Sequence, residues 1–413
     1  MKKRKVYIFN RASRAAAYGI GTYIEQYIKC FKDSSLDFGI INLSDKNKEV
    51  QIEKKNGYQE IWIPSPGDPR RPENNKNYAR NAVYLLKDII GQDKNTEYIF
   101  HLNFMGDHQL VYYLKKMFQC KVVLVTHYAG WDFALNGDNK KLQKILADKS
   151  LKRKDKHEAD ILNEIQTDKK TILESDHFVC VSQYMLDLFK KTMDIGETPY
   201  SVVHNALQDT YKDLTQEEKT AIRLKYHIAP DTKLLLYAGR LDPMKGISYL
   251  LDAFRKVLEQ DANVQLIMAG DGDYNRWMKE AGDCWSKISF TGRLDKEQLY
   301  DLYNIADMGL VTSMCEPFGL VAIEMMMHGL PVIASDAGGL TEIIDNDVSG
   351  LRVPIIEKKG ERKLDTDVLT EKIELLLNNP ELRKRIGANG REKFLEQYEL
   401  SVFKENMMSV YNK

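Results

Sequence analysis

The chain has 413 residues, of which 43% are hydrophobic and 29% are charged, a size and composition typical of a globular protein with two domains. Its 60 basic residues equal its 60 acidic residues, so no net charge indicates a nucleic acid or an anionic membrane as the partner. The five cysteines have no paired spacing, which predicts free thiols in a reducing, cytoplasmic compartment. The first apolar run is too short for a signal peptide, and no later run has the length of a membrane span.

Short runs of β-branched and aromatic residues alternate with amphipathic stretches of helix length along the whole chain. In the first half the predicted strands lie at Lys5–Asn10, Phe38–Leu43, Glu60–Pro64, Tyr98–Asn103, Lys121–Tyr128, His177–Ser182 and Ser201–Ala206. In the second half they lie at Lys233–Arg240, Val264–Gly272, Ile288–Arg293, Met308–Ser313 and Leu330–Gly339. Runs this continuously apolar are typical of strands covered on both faces, as in parallel sheets with crossover helices. Two such series, each about 200 residues long, predict two doubly wound α/β domains.

The boundary between the two domains is predicted between Ala206 and Asp231. This gives a first domain over residues 1–206 and a second over residues 207–385. A short helix is predicted at the start of the second domain, because Thr215 followed by Glu218 three residues later is a capping-box pattern.

Two further segments are set apart by their composition. Residues 386–413 predict a C-terminal helix that packs back on the first domain. Residues from about 138 to 170 are dense in charge with an interrupted apolar period, and we interpret them as a solvated helical insertion. The alternative is a basic surface that contacts an acidic acceptor or lipid head groups.

One apolar segment of the second domain, Glu316–Glu324 ("EPFGLVAIE"), has a carboxylate at each end. Pro317 suits the first turn of a helix, and Gly319 would let the backbone approach a ligand closely. The two carboxylates would then bracket a helix N-terminus whose N–H groups suit a phosphate, and carboxylates accept hydrogen bonds from sugar hydroxyls. From these residues alone, a capping Glu316 with an ordinary solvated Glu324 is an equally good interpretation.

Two cations follow the first strand of the second domain in the loop "YAGRLDPMKG". Arg240 and Lys245 would lie at the carboxyl edge of the sheet, where open α/β sheets bind ligands. A guanidinium fork and an ammonium suit a diphosphate, although two cations in a surface loop are the simpler alternative. In the same domain Asp271 and Asp273 form a D-x-D, which a turn explains better than a metal site. No metal is therefore predicted.

The first domain offers fewer candidates. The segment Tyr18–Ile28 ("YGIGTYIEQYI") is a glycine loop that opens a helix after the first strand, so Gly19 and Gly21 could face a phosphate or a sugar. His127 ends a predicted strand, again at a carboxyl edge. A single histidine in that position is more often structural, unless a second motif supports a functional role.

Taken in order, the motifs of the second half resemble those of glycosyltransferase family 4, the retaining nucleotide-sugar transferases of GT-B architecture. The motifs are "LYAGRLDPMKG", "IMAGDG", "FTGRLDKEQLYDLYNIADMGLVTS", "EPFGLVAIEMMMHGLPVIASDAGGLTEII" and "SGLRVP". The first half is similar only through "YGIGTYI", "VTHYAG", "VSQYM" and "VVHNAL". The resemblance implies the GT-B fold, in which two Rossmann-like α/β domains face a central cleft. The chain departs from the family at Ala206, where glycine is usual, and at Thr312, where proline is common.

The resemblance also implies a role for each matching position. Glu316 would face the hydroxyls of the donor sugar, and Glu324 would hold the ribose hydroxyls. Arg240 and Lys245 would stabilise the diphosphate, and His127 would lie beside the donor sugar near the reacting centre. Backbone and glycine positions complete the implied donor-binding set: Phe318, Gly319, Leu320, Gly21, Gly239 and Gly270.

The activity that the resemblance implies is metal-independent, retaining transfer of a hexose from a nucleotide-diphosphate sugar to an acceptor hydroxyl. No cofactor is expected, and a UDP-sugar is favoured over a GDP-sugar. The acceptor is a glycan, a lipid-linked sugar or a peptide, and the enzyme is expected in the cytoplasm, either free or peripheral at the inner membrane face. Two alternatives stay open: a GT-B sugar-nucleotide epimerase, and a catalytically degenerate transferase that serves as a partner subunit.

Overall fold

The computed structural model describes residues 3–11, 19–65, 72–148, 155–358 and 361–413. By its internal contacts the chain divides into two compact units. Unit 1 comprises residues 1–135, 139–208 and 400–413, and unit 2 comprises residues 136–138 and 209–399. The first boundary thus lies two residues beyond the predicted one, whereas residues 386–399, predicted to belong with the C-terminal helix, lie in unit 2.

Unit 1 contains one sheet of eight strands. In chain order the strands are β1 (Lys3–Arg11), β2 (Asp37–Asp45), β3 (Gln51–Lys55), β4 (Tyr58–Pro64), β5 (Thr96–Leu102), β6 (Cys120–Thr126), β7 (His177–Cys180) and β8 (Tyr200–Val202). Their order in the sheet is β3-β4-β2-β1-β5-β6-β7-β8. All neighbours are parallel except β3 and β4. The order reverses direction between β1 and β5, which is the switch point where doubly wound sheets bind ligands.

The seven strands predicted for the first half are all present, and β3 is additional. Residues Val6–Phe9 of β1 are fully buried, as expected for a strand covered on both faces. Every residue of β3 is exposed, so this edge strand has no apolar run by which the sequence could reveal it.

The helices of unit 1 connect these strands. They are α1 (Gly19–Phe31), α2 (Pro72–Ile90), α3 (His108–Met117), α4 (Gly130–Ala134), α5 (Asn139–Ala147), α6 (Lys156–Glu174) and α7 (Gln183–Thr192). The charged insertion consists of α5 and α6, apart from residues 149–154, which lie outside the described residues. It is not a solvated insertion, because Ile161, Ile165 and Ile172 of α6 are buried and α6 packs against α3 and α4.

Unit 2 contains a sheet of six strands, all parallel, in the order β11-β10-β9-β12-β13-β14. The strands of this unit are β9 (Lys233–Ala238), β10 (Val264–Ala269), β11 (Ile288–Gly292), β12 (Met308–Val311), β13 (Val332–Ser335), β14 (Leu351–Val353), and the hairpin strands β15 (Ile355–Lys358) and β16 (Glu361–Leu364). Its helices are α8 (Gln216–Lys225), α9 (Ile247–Gln260), α10 (Tyr274–Ala281), α11 (Lys296–Ile305), α12 (Leu320–Met327), α13 (Leu340–Ile343), α14 (Thr366–Asn378) and α15 (Pro380–Gln397). The predicted capping box at the start of α8 is present, since Thr215 and Glu218 each accept from the other's backbone N–H.

The predicted C-terminal helix is in fact two helices, because α15 ends at Gln397 and a separate helix, α16 (Leu400–Asn412), follows. Helix α16 belongs to unit 1, where Tyr411 is buried. Its hydroxyl lies 2.6 Å from Nδ1 of His101 and 3.0 Å from the hydroxyl of Tyr27. No described helix is long and apolar enough to cross a membrane.

Candidate functional site

The sheet of unit 2 reverses its strand order between β9 and β12, so the loops after these two strands meet at a switch point. Two hydrogen bonds join the loops: Met314 N–H donates to the Met244 carbonyl at 2.8 Å, and the Thr312 hydroxyl donates to the Lys245 carbonyl at 2.8 Å. The topology therefore brings together two segments that lie about 70 residues apart in the sequence.

Lys245 and Glu316 form the central ion pair of this site, with 2.6 Å between Nζ and Oε2. Their side chains are only 23% and 14% exposed. The hydroxyl of Ser313 also donates to Oε2 of Glu316, at 3.1 Å. An ammonium group has three protons to donate, so Lys245 can hold Glu316 and still donate to an anion. The structure thus brings these two predicted residues together.

Arg240 lies in the same loop as Lys245, directly after β9. Its Nη1 is 3.1 Å from Oδ2 of Asp242, and its carbonyl accepts a hydrogen bond from the Tyr237 hydroxyl at 2.7 Å. The side chain is about a quarter exposed. Arg240 is therefore placed at the carboxyl edge of the sheet, as predicted.

The N-terminus of α12 requires glycine at position 319. Gly319 has φ of 124°, and a Cβ atom there would lie 2.7 Å from Cδ2 of Leu340. The side chain of Phe318 is buried, with its ring 6.0 Å from that of Tyr398. A ligand at this end of α12 would therefore meet backbone N–H groups of Gly319 and Leu320.

Gly239 and Gly270, two other predicted donor-binding positions, lie against each other at the ends of β9 and β10. A Cβ atom on Gly270 would come within 1.7 Å of the Gly239 carbonyl oxygen, so a larger residue would force the two loops apart. This close approach accounts for Gly270 without a ligand, and its role in donor binding stays a prediction.

Glu324 is buried in α12 and is only 4% exposed, so it is not an ordinary solvated helix residue. Its Oε2 accepts a hydrogen bond from the Tyr303 hydroxyl at 3.1 Å, and its Oε1 pairs with the ammonium of Lys296. A buried carboxylate is costly unless it is paired. The two partners in α11, Lys296 and Tyr303, therefore offset the cost of burying Glu324 and fix the direction of its carboxylate.

Sequence reasoning assigned no role to Lys296 or Tyr303. Both residues lie in "DKEQLYDLY", which resembled the family, and Asp295 with Gln298 forms a capping box that fixes the start of α11. That capping pattern places Lys296 at the first helical position, at the carboxyl edge of the sheet. What the sequence could not show is that this edge faces Glu324.

The D-x-D segment has the structural role expected of a turn. The side chain of Asp273 accepts from the backbone N–H of Arg276 at 3.1 Å and so caps α10. Across the described ranges, no group of three or more His, Cys, Asp or Glu residues could hold a metal ion.

His127 lies in unit 1, after β6. Its Nε2–H donates to the amide oxygen of Asn103 at 2.9 Å, and Asn103 is anchored in turn by donating to the Phe9 carbonyl at 3.0 Å. Burial, together with the neighbouring His101, lowers the pKa of His127 to about 3. The ring is therefore neutral at pH 7, and the bond to Asn103 leaves Nδ1 as an acceptor.

The predicted glycine loop is described only from residue 19 onward, and Tyr18 lies outside the described residues. Helix α1 begins at Gly19, so Gly21 is in its first turn. Gly21 and His127 belong to unit 1, whereas the charged candidates Arg240, Lys245 and Glu316 belong to unit 2. A common site for both groups stays a prediction.

The chain is similar to known proteins in sequence and in fold. Residues 218–393 match the family model described as glycosyl transferases group 1. An uncharacterised glycosyltransferase of Methanocaldococcus jannaschii is 30% identical over 245 residues, which cover 58% of this chain and 60% of that protein. The chain thus spans about three fifths of the length of this curated relative.

Two solved structures resemble the chain over almost its whole length. Sucrose-phosphate synthase from Thermosynechococcus elongatus has a TM-score of 0.77 at 20% identity, covering 99% of this chain and 98% of that one. Anabaena HepE in complex with UDP and glucose has a TM-score of 0.71 at 14% identity, covering 99% of each chain. At such identities the likeness establishes the fold, and that fold is GT-B, as predicted.

Proposed function

We propose that the protein is a glycosyltransferase that moves a sugar from a nucleotide-diphosphate sugar to an acceptor hydroxyl. The observation that carries this proposal is the Lys245–Glu316 pair, which lies at the switch point of unit 2 with 2.6 Å between its charged atoms. This pair falls within the segment that matches glycosyl transferases group 1. A cation and a carboxylate side by side suit a ligand in which a diphosphate adjoins sugar hydroxyls.

Each part of the donor has a proposed partner in unit 2. Arg240, Lys245 and the N-terminal N–H groups of α12 hold the diphosphate. Glu316 accepts hydrogen bonds from the donor sugar, and Glu324, oriented by Tyr303 and Lys296, accepts them from the ribose hydroxyls. The relatively exposed Lys296 can move away from Glu324 when the ribose arrives, since its side chain is 47% exposed.

The proposed reaction retains the anomeric configuration and uses no metal. The bond between the anomeric carbon and the diphosphate breaks, and the acceptor oxygen bonds to the same face of the sugar. The acceptor's proton passes to the departing phosphate oxygen. Arg240, Lys245 and the start of α12 stabilise the negative charge that develops on this leaving group.

The donor is proposed to be a UDP-sugar, in keeping with the UDP complex of the Anabaena neighbour. The acceptor is a glycan, a lipid-linked sugar or a peptide, and the place of action is the cytoplasm or the inner membrane face. The epimerase alternative is less well supported, because the matched family model and the named relative are both glycosyltransferases.

The proposal is tested by incubating the protein with a panel of UDP- and GDP-sugars and candidate acceptor glycans in EDTA and measuring nucleotide release. The Lys245→Ala variant is compared with Lys256→Ala, a matched control whose lysine lies on α9 and is 42% exposed. We expect release by the wild type and by the control, with a loss of about 100-fold or more in Lys245→Ala. Equal rates in all three proteins would contradict the proposal. Proton NMR of the product then reads the anomeric configuration.

A further inference from the structure

Unit 1 has a pocket of about 370 Å³ at its own switch point. The pocket lies beside the carboxyl ends of β1, β5 and β6, and one helix, α6, forms its opposite wall. Residues that line it include Arg11, Asn103, His127, Glu164 and Asp168. Ligands of doubly wound sheets bind at this position, so the place of the pocket in the fold is one reason to regard it as a binding site.

Two carboxylates of α6, one helical turn apart, face this pocket. Asp168 is 1% exposed, and its Oδ2 accepts a hydrogen bond from the indole N–H of Trp131 at 3.0 Å. Its Oδ1 lies 3.9 Å from where a Cβ atom on Gly106, another lining residue, would lie. A carboxylate oxygen that borders a pocket can accept a hydrogen bond from a ligand's N–H or O–H group.

Glu164 is held in place by α4. The backbone N–H of Gly130, the first residue of α4, donates to its carboxylate. A Cβ atom at position 130 would come within 2.1 Å of Oε1 of Glu164, so glycine is what lets the carboxylate approach the backbone. The hydrogen bond from the Gly130 backbone thus fixes the Glu164 carboxylate at the rim of the pocket.

Among the described residues that line the pocket, Arg11 is the one Lys or Arg side chain. Arg11 is already paired with Asp107, with 2.7 Å between Nη2 and Oδ2. Its positive charge is therefore compensated by a carboxylate other than those of Glu164 and Asp168. Burial raises the pKa of Asp168 to about 7 and also raises the pKa of Glu164, because loss of water penalises the charged form of each carboxyl group. A bound cation would relieve this cost.

We infer that this pocket is the acceptor site and that it selects an amine-bearing, hydroxylated ring, such as an amino sugar or an aminocyclitol, through Glu164 and Asp168. The ammonium of the acceptor lies between the two carboxylates, and its hydroxyls reach Asn163, Thr167 and the ring of His127, all of which line the pocket. The inference rests on the proposed function, since it takes the bound ring to be the sugar acceptor.

The test uses three probes that share one ring and differ only at carbon 2: D-glucosamine, D-glucose and N-acetyl-D-glucosamine. Binding is followed in the full-length protein by NMR of the four tryptophan indole N–H groups. The signal of Trp131, assigned with Trp131→Phe, reports on the pocket because this indole donates to Asp168. We expect glucosamine to bind about tenfold more tightly than glucose or N-acetylglucosamine, as one charge-assisted hydrogen bond would give.

The double variant Glu164→Gln with Asp168→Asn should bring the three dissociation constants together. Asp187→Asn, which removes one carboxylate from α7 outside this pocket, should keep the preference. Equal binding of the three probes to the wild type, no binding of any, or a preference that survives in the double variant would each overturn the inference.

A UDP titration of the same samples separates the inference from the proposed function. The double variant should bind UDP as the wild type does. UDP binding without amine selectivity overturns the acceptor inference alone. Amine selectivity in a protein that binds no nucleotide overturns the assignment of the pocket as an acceptor site, together with the proposed function.

Discussion

The replacement of Glu324 by glutamine tests how the donor site holds a nucleotide. The carboxylate is 4% exposed and is aimed by two contacts, from Tyr303 at 3.1 Å and from Lys296. Glutamine keeps the shape but removes the charge. A hydrogen bond to a charged group contributes about 1.5–3 kcal/mol, so the affinity for UDP should fall by about 10- to 150-fold. The fold should survive, because Lys296 is half exposed and can turn to solvent.

The assay is isothermal titration with UDP and with 2′-deoxy-UDP, in the wild type and in Glu324→Gln. Glu259→Gln is the control, since that exposed glutamate lies on α9. The wild type and the control should prefer UDP over the deoxynucleotide, and Glu324→Gln should bind both equally weakly. If Glu324→Gln loses the same factor for both nucleotides and still discriminates between them, the carboxylate does not touch the ribose, and this reasoning is refuted.

Three further predictions concern the donor site and the stability of the protein. Lys245→Ala should lose orders of magnitude in turnover while the protein still folds, and near-normal turnover would exclude a leaving-group role. Gly319→Ala should lower the unfolding free energy by about 1–3 kcal/mol in urea, because its φ of 124° is strained for alanine; an unchanged midpoint would contradict this. The urea midpoint should fall as the pH drops from 7.5 to 5.5, because burial lowers the pKa of four histidines below the ordinary value of 6.5. The unfolded chain therefore binds more protons than the folded chain in that range. Each histidine lowers the free energy of unfolding by at most about 1.4 kcal/mol per pH unit. These histidines are His101 and His127, with pKa about 3, and His177 and His328, with pKa about 4. The raised pKa of Asp168 acts in the opposite direction, because it makes the folded state bind more protons than the unfolded state below pH 7. Asp168→Asn should therefore steepen the fall of the urea midpoint with pH. A midpoint that rises on acidification, in the wild type or in this variant, would contradict the reasoning.

The fold could be predicted largely from apolar runs. Most strands from β1 to β13 are buried on both faces and so appear in the sequence as continuous hydrophobic segments. Strands β3, β8 and β11 are more exposed. Strand β14 is only three residues long, and the hairpin strands β15 and β16 are mostly polar, so no pattern indicated them. The break between α15 and α16 was also missed, since both helices have apolar faces and the intervening Tyr398 is itself buried.

The candidate site was predictable where a motif stands next to a strand end. Arg240, Lys245 and Glu316 follow β9 and β12 directly, and the carboxyl edge of a parallel sheet brings such residues together. The partners of Glu324 were not predictable, because Tyr303 and Lys296 reach it from another helix and local spacing does not record that contact.

The acidic pair of unit 1 could not be recognised from the sequence, for a different reason. Glu164 and Asp168 lie in a stretch dense in charge, where the sequence favours a solvated surface. Their burial depends on α4, which supplies the Gly130 N–H and the Trp131 indole. Those two donors precede the carboxylates by more than 30 positions, so the sequence alone gave no sign of the contact.

The most direct test of the central claim is a thermal-shift panel of UDP, GDP, ADP and CDP in EDTA, repeated with Mg²⁺. A nucleotide present at 100 times its dissociation constant stabilises the folded state by about 2.7 kcal/mol. We predict that UDP raises the melting temperature without metal and that Lys245→Ala abolishes the shift. A protein that no nucleotide stabilises, or that UDP stabilises only when Mg²⁺ is present, would contradict the proposed metal-independent donor site.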